Sequence, residues 1–478
     1  MDSFARLSDA CARLLCRYEN VAAGRGVLLA LSGGTDSTVL LHVLARLAAA
    51  GRLPGPLHAC HVDHAVRPDS RANAEHAVAQ CERLDVPIVV RRLDRRPGPA
   101  SEQELRDARY AELCIAAQEC GAGLLLTAHH ADDNLETVLF RMLRGTGPRG
   151  LAGIPEARWI GRGAQRLLLV RPLLRVRRSL LESVLAQLDD TAYEDSTNRD
   201  RRYARNALRH ETIPALRRTL GAGLDVALMT VCSTARAATE IIEAQGLRIL
   251  SQRARHKTAW RCELDLRGID DDSEPFVREA LRQAHVALHP LGEAPTSAWL
   301  ARVCALQQLP DGTRVAGQGG LLAERTRDGL LLVDPGRAGA PPRTTDGGQL
   351  FRWDSGRQRF GATEWWLSAF EHPLPPLVPS PLEAGRLRAL LDPRHAPLPW
   401  RLRTRRAGDR FQPLGCPQPV ELRRFLQSRH VPRFDRDRLP LLVDAHDQIL
   451  WVPGVEIAEH ARLQLNTRRC VEVVAHCG

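Results

Sequence analysis

Residues 5–20 place apolar side chains at helical spacing, and after the break at Gly24-Arg25-Gly26 the run Val27-Leu28-Leu29-Ala30-Leu31 is apolar without interruption. An amphipathic stripe predicts a helix packed on one face, and an unbroken apolar run predicts a strand buried on both. Ser32 to Thr35 then turns the chain, and Asp36–Ala50 returns to helical spacing. The same alternation predicts strands over Leu57–Val62, Ile88–Leu93 and Leu124–Ala128, and helices over Ser70–Leu84, Ser101–Cys120 and Asp132–Arg144. Strands alternating with helices in this way predict an α/β fold, a doubly wound parallel sheet with helices on both faces. In such sheets ligands sit beyond the carboxyl ends of the strands, so the loops after Leu31, Val62 and Ala128 are expected to meet at one crevice.

The pattern changes after this region. From about 175 to 220 the chain reads as helical and crowded with arginine, and 221–246 reads as a long Ala-rich helix bridging to the next unit. A smaller mixed α+β segment runs to about Val333. Gly/Pro-rich stretches at 335–348 and 373–381 read as linkers or exposed loops. Within 398–476 a helix is expected near Glu421–Arg429, with short strands at Leu441–Val443, Ile449–Val452 and Cys470–Val474. A chain of 478 residues exceeds one ordinary hydrophobic core. The expected division is 1–220 as catalytic domain, 221–336 as middle domain, 337–394 as linker and irregular segment, and 395–478 as C-terminal domain.

Charge adds a partner class to this picture. Lys+Arg number 67 against 56 Asp+Glu, a formal +11, and Lys257 is the only lysine. Arginine offers a permanently charged planar fork that suits phosphate oxygens and stacks on bases, so a polyanionic partner is indicated. The twelve cysteines contain no C-x-x-C pair, which argues against a zinc ribbon, an iron–sulfur cluster or a redox dithiol. The N-terminal stretch lacks a signal-peptide pattern and no apolar run is long enough to span a bilayer, so a cytoplasmic protein with no membrane partner is expected.

Candidate chemistry centres on Ser32-Gly33-Gly34-Thr35-Asp36-Ser37, between a buried strand and a helix. Two glycines let the backbone approach an anion, successive N–H groups point into the turn, and the helix N-terminus adds its positive end. A carboxylate at position 36 beside phosphates makes physical sense with a divalent cation between them. The lysine of a Walker A loop is missing. The hexapeptide resembles the PP-loop of the ATP pyrophosphatase superfamily, whose members cleave ATP between its α and β phosphates and adenylate an acceptor oxygen.

Further segments narrow the resemblance: His61-Val62-Asp63-His64, Leu105-Arg106-Asp107-Ala108-Arg109-Tyr110, Thr127-Ala128-His129-His130-Ala131-Asp132-Asp133-Asn134-Leu135-Glu136, Arg144–Gly153, Arg171-Pro172-Leu173-Leu174, Glu194–Asn198 and Arg205-Asn206. Together these resemble the tRNA(Ile)-lysidine synthetase family, over about the first 215 residues and more weakly to the C-terminus. Asp63 stands where that family usually shows Asn, Leu105 where it shows Ala, and Arg423 and Arg424 where it commonly shows lysines. The resemblance implies ATP and Mg²⁺ as cofactors and, as partners, free L-lysine and an isoleucine tRNA with a CAU anticodon; a homodimer is compatible with it. The middle and C-terminal domains would then bind tRNA.

On this reading Ser32, Gly33, Gly34, Thr35, Asp36, Ser37, His64 and Arg109 hold the nucleotide, and Asp36 also the metal. The catalytic set is Asp36, Arg106, His129, Asp132, Glu136 and Arg205. Carboxylates at i, i+3 and i+4 share a helix face and suit a lysine ammonium, although Asp132 also reads as a helix N-cap. Arg171, Arg175, Arg177, Arg178, Arg201, Arg202, Arg205 and Arg209 would line an RNA path. The run Arg401, Arg403, Arg405, Arg406, Arg410 would add phosphate contacts. Two readings stay open beside this one: a tRNA thiolase with the same loop, disfavoured by the absent cysteine pair, and a non-catalytic RNA-binding protein, disfavoured by intact Asp36 and 132–136 carboxylates.

Overall fold

A computed structural model describes residues 3–22, 25–63, 70–93, 102–160, 166–188, 190–193, 207–221, 223–289, 294–339, 348–352, 356–361, 363, 365–373 and 387–477. The chain divides into two compact units, Met1–Ile241 and Ile242–Gly478.

The first unit is built on a six-stranded sheet: β1 (Gly26–Ala30), β2 (Leu57–Asp63), β3 (Ile88–Arg92), β4 (Ala122–Leu126), β5 (Ala157–Ile160) and β6 (Leu167–Val170), in the order β3-β2-β1-β4-β6-β5. All neighbours are parallel except β5, which pairs antiparallel with β6 at the edge. Side chains alternate across a strand, which is why continuous apolar runs are needed here. Val27, Leu29, Leu124, Leu126, Leu168 and Val170 enter the core under the helices Ser3–Cys16, Thr35–Ala49 and Arg178–Gln187. Leu28, Leu125, Leu167 and Leu169 enter the opposite core with Tyr110, Leu113 and Ala117 of the helix Glu102–Glu119. The doubly wound arrangement is thus as expected, with the helices after β1 to β4 at the expected places to within two residues, while the expected 5–20 helix runs Ser3–Cys16 and is followed by a separate turn of helix, Glu19–Ala22.

The strand order reverses between β1 and β4, and such switch points open a crevice at the carboxyl ends. Both bordering loops lead into helices, Thr35–Ala49 after β1 and Ala131–Leu143 after β4. The β5–β6 hairpin has no counterpart in the sequence expectation. Its strands are four residues each, too short to register as a period.

In the second unit a five-stranded antiparallel sheet (254–255, 261–265, 329–333, 322–326, 314–316 in spatial order) packs against the helices Glu274–Leu288 and Ser297–Ala305. The helix Gly223–Arg253 leads into it, longer than the expected 221–246. Two further sheets follow. One is ordered 349–351, 400–403, 441–443, 449–452, 456–457; the other is ordered 358–359, 365–373, 469–477, 388–391. Four of these strands come from 337–394, the segment expected to be linker and irregular. Trp365–Pro373 pairs along its whole length with Arg469–Cys477, and both sheets share one core containing Trp400, Trp451, Leu367, Val471 and Val473. Most of the Gly/Pro-rich residues of the segment, 340–347 and 374–381, lie outside the described residues. Among the described residues, no helix is long and apolar enough to cross a membrane.

Candidate active site

The loop after β1 is held in a shape that favours glycine. Gly33 has φ +82°, and a Cβ there would lie 2.4 Å from Asn73 Oδ1. Its carbonyl accepts from Tyr193 N at 2.9 Å and from Thr38 Oγ1 at 3.4 Å. The next residue, Gly34, is the N-cap of the Thr35–Ala49 helix and provides no side-chain cap. The first N–H groups of that helix therefore keep their capacity to bind an anion at the crevice. Ser32 Oγ and Ser37 Oγ lie 3.0 Å apart, and Ser37 Oγ donates to Gly34 O at 3.0 Å, so both hydroxyls are ordered beside the loop.

Asp36 follows on the first helical turn. Its Oδ1 is buried with no hydrogen-bond partner among the described residues, and its Oδ2 lies 3.4 Å from His130 Nε2. A buried carboxylate oxygen left unmatched beside an anion cradle fits a divalent cation. His130 joins the loops after β1 and β4, so these two expected walls of the crevice do converge. It is the N-cap of the Ala131–Leu143 helix, accepting from Asp133 N at 3.3 Å while Asp133 Oδ2 accepts from His130 N at 3.0 Å. Burial disfavours its imidazolium, but hydrogen bonding to Asp36 and the nearby charges of Asp133, Asp36 and Asp132 outweigh that and raise its pKa. The capping bond opposes the same protonation, because Nδ1 must stay bare to accept.

The cap is therefore His130 with Asp133, not Asp132 as expected. Asp132 instead accepts from Arg178 N at 3.0 Å and from Arg217 Nη2 at 2.7 Å. Burial would raise its pKa, yet these donors hold it below the ordinary carboxylate range. Glu136, buried, is gripped by Arg209: Nε to Oε1 at 2.5 Å and Nη2 to Oε2 at 3.0 Å, with Nη2 also 2.9 Å from Asp133 Oδ1. Arg209 is thus turned into the carboxylate cluster and not along an RNA path. Among the described residues Arg177, Arg209 and Arg217 pair with Asp132, Asp133 and Glu136, and His130 adjoins Asp36, so this side of the crevice is a carboxylate-rich pole crossed by ion pairs.

The other side is cationic. Arg106, His129, Thr137, Arg141, Arg158 and Arg171 line a cleft together with Ile154 and Pro155. His129 Nδ1 lies 3.0 Å from Thr127 Oγ1 at the end of β4. Three guanidinium carbons sit over the Tyr110 ring: Arg106 at 5.7 Å, Arg109 at 5.5 Å and Arg158 at 5.3 Å from its centroid. Burial pushes the Tyr110 phenol up, but the fields of Arg109, Arg106, Arg171 and Arg158 bring it below its ordinary 10. Arg171, 1% exposed, donates to Pro155 O at 2.7 Å, and burial pulls its guanidinium down to about 10. Sequence reasoning singled out Arg106 and His129 of this lining, and Arg109 beside it, but missed Arg141 and Arg158, which no motif marks. His64, Arg201, Arg202, Arg205, Asn206 and Glu194–Asn198 lie outside the described residues.

A PP-loop domain model matches residues 8–216, which contain both poles. A tRNA(Ile)-lysidine synthase from Pseudomonas aeruginosa is 36% identical over 450 residues, 90% of either chain. The chain belongs to the tRNA(Ile)-lysidine synthase family. Its family membership extends past the first unit: a protein of the same name from Symbiobacterium thermophilum is 32% identical over 98% of this chain and 97% of its own. A TilS substrate C-terminal domain model matches residues 400–473. The crystal structure of a TILS C-terminal domain is similar at 28% identity and TM-score 0.22, covering 24% of this chain and 85% of that one. As a PP-loop synthase of this family the protein is an ATP-using enzyme.

In the C-terminal arginine run, expected as phosphate contacts, the family module uses most members internally. Arg403, 1% exposed, forks onto Asp409 at 2.9 and 3.0 Å and reaches Asp447 at 2.7 Å. Arg406 pairs with Asp447 at 2.8 Å, and Arg410 donates to Pro419 O at 2.7 Å.

Proposed function

We propose that the protein joins free L-lysine to C2 of the cytidine at the first anticodon position of the CAU-bearing isoleucine tRNA, with ATP cleaved to AMP and pyrophosphate. The observation that carries this reading is the pairing of a phosphate cradle with two opposed poles in one crevice of a lysidine synthase family member. The reaction needs both signs of charge: an anionic pole for an amine nucleophile and a cationic one for nucleotide and RNA phosphates.

In the first step the cytosine O2 attacks the α-phosphorus and the bond to pyrophosphate breaks. In the second the lysine ε-amine attacks C2, the C2–O bond to AMP breaks, and the amine gives up a proton. The loop Ser32, Gly33, Gly34, Thr35 and Ser37 holds the phosphates through its N–H groups and hydroxyls. Asp36 would hold Mg²⁺, which neutralises charge on the phosphates when bound. Arg106 and His129 line the cationic cleft and Arg109 lies over the Tyr110 ring, where they would orient nucleotide and base. Asp132 and Glu136, with Asp133, supply the negative field for the ammonium. Asp132, held ionised by its donors, suits orientation of the ammonium better than removal of its proton. His64 and Arg205 complete the proposed set.

The test is incubation with ATP, Mg²⁺, radiolabelled lysine and a CAU-anticodon isoleucine tRNA transcript. Label should enter the RNA and fall by a factor of about 10²–10³ or more in Asp36→Ala. Pyrophosphate release without label in the RNA would retain adenylation and reject lysine as the nucleophile.

A further inference from the structure

The 32–37 loop rests on a buried polar network that no sequence motif marks. Thr38 and Gln80 are fully buried, the first on the helix Thr35–Ala49 and the second on the helix Ser70–Arg83. Thr38 Oγ1 accepts from Gln80 Nε2 at 3.2 Å, which leaves its one proton for Gly33 O at 3.4 Å. The same Gln80 Nε2 donates to Thr191 O at 2.9 Å, and His76 Nε2 lies 2.9 Å from that carbonyl. Asp190, its side chain only 4% exposed, joins the network from the other end. Its Oδ2 is 2.8 Å from His42 Nε2, and its Oδ1 accepts from Arg83 Nη2 at 2.6 Å and from Thr191 N at 2.8 Å. Burial would raise the Asp190 pKa, but the bonds to His42, Thr191 N and Arg83 bring it below the ordinary carboxylate range.

Polar groups this deep cost free energy unless matched, and here the matching ties residues 190–193 to two helices at once. Tyr193, at the end of that segment, donates its N–H to Gly33 O at 2.9 Å. Both donors to the Gly33 carbonyl, Thr38 Oγ1 and Tyr193 N, are therefore held in place by the network. A trans peptide carries its C=O and N–H on opposite sides, so a Gly33 carbonyl fixed by these donors turns the Gly34 N–H the other way. Glycines on both sides of a peptide let it turn over at little steric cost. A peptide turned over in the 32–37 loop would set a carbonyl oxygen where a phosphate needs an N–H group.

We infer that Gln80 and Asp190 are positioning residues for nucleotide binding: through Thr38 and the segment 190–193 they hold the Gly33 carbonyl, so that the Gly34 N–H stays presented to the phosphates. This deepens the reading of the 32–37 loop as the phosphate cradle and does not depend on lysine as the nucleophile.

The test measures the Kd for Mg²⁺-ATP by calorimetry on the full-length protein, the KM for ATP and for lysine in the labelled-lysine assay, and folding by melting curves. Cys81→Ala, fully buried on the same helix as Gln80 but outside the network, is the control for a loosened core. Gln80→Leu and Thr38→Val should each weaken ATP binding by about tenfold, the equivalent of one buried hydrogen bond left unmade. The KM for ATP should rise with it while the KM for lysine stays where it is. Thr38→Ser, which retains the hydroxyl, should recover most of what Thr38→Val loses. Asp190→Ala, outside any helix, should weaken ATP binding in the same direction and repeats the test should Gln80→Leu fail to fold. ATP affinities of Gln80→Leu and Asp190→Ala equal to that of Cys81→Ala overturn the inference, as does a Thr38→Ser as weak as Thr38→Val. KM values for ATP and lysine that rise together also overturn it, in favour of a purely structural role. If the parent protein binds ATP but incorporates no lysine, it is the proposed function that fails, and the ATP affinities of the variants still decide the positioning role.

Discussion

Gly33 is constrained twice, by a positive φ and by Asn73 Oδ1 standing where a Cβ would go. Gly33→Ala should cost about 1–3 kcal/mol and abolish the stabilisation that ATP gives, read as the shift in melting temperature with and without nucleotide. Glu136→Ala leaves Arg209 with Asp133 alone, and a loss of roughly 3 kcal/mol in urea unfolding is expected. Asp392, fully buried, is drawn down to about 2, first by Arg394 and, against burial, also by Thr467. A carboxylate with a depressed folded pKa stabilises above its ordinary 3.8 and loses that contribution as pH falls through the folded value. Asp392→Asn should therefore cost about 2 kcal/mol at neutral pH, and the gap to the parent should close between about pH 4 and 2 in acid-unfolding curves. Residues whose role is local were legible in the sequence: the hexapeptide 32–37 carries its turn, hydroxyls and carboxylate within six positions. Arg158 and Arg209 were not, because their roles depend on Tyr110 and Glu136, which lie far away in sequence. Spacing also could not decide between adjacent Asp132 and Asp133, since the choice of cap depends on which side chain turns back towards His130.

Elements with a long period were legible for a related reason. Helices of 13 to 18 residues and fully buried strands in the first unit repeat their pattern often enough to define it. The short apolar runs at Leu441–Val443 and Ile449–Val452 still mark strands, but 157–160, 349–351 and 388–391 carry no such mark. Their identity is set by the partner strand and not by their own sequence. The terminal strand Arg469–Cys477 shows how much a partner can decide: it is paired on both sides and buries Val471, Val473 and Ala475. A chain ending at Arg468 should lose the cooperative unfolding of the C-terminal module and expose 349–468 to limited proteolysis, because backbone groups of two flanking strands lose their partners.

For the whole molecule the excess of +11 sets the conditions under which binding is to be judged. If six to ten phosphates are contacted, affinity for tRNA should fall by about 10³–10⁵ between 50 and 200 mM salt, with a linear log–log plot. A shallow slope would mean that few of the arginines meet RNA, as the inward-facing Arg209 and Arg403 already illustrate.

The strands at 349–351, 365–373 and 388–391 lie outside the 400–473 region that the C-terminal family model matches, yet they complete the sheets on which that region folds. The boundary of that family model and the boundary of the folded core therefore differ. A gene fragment cut at residue 400 would yield open sheet edges and a half-built core, because the partners of Trp400–Arg403 and Arg469–Cys477 would be gone.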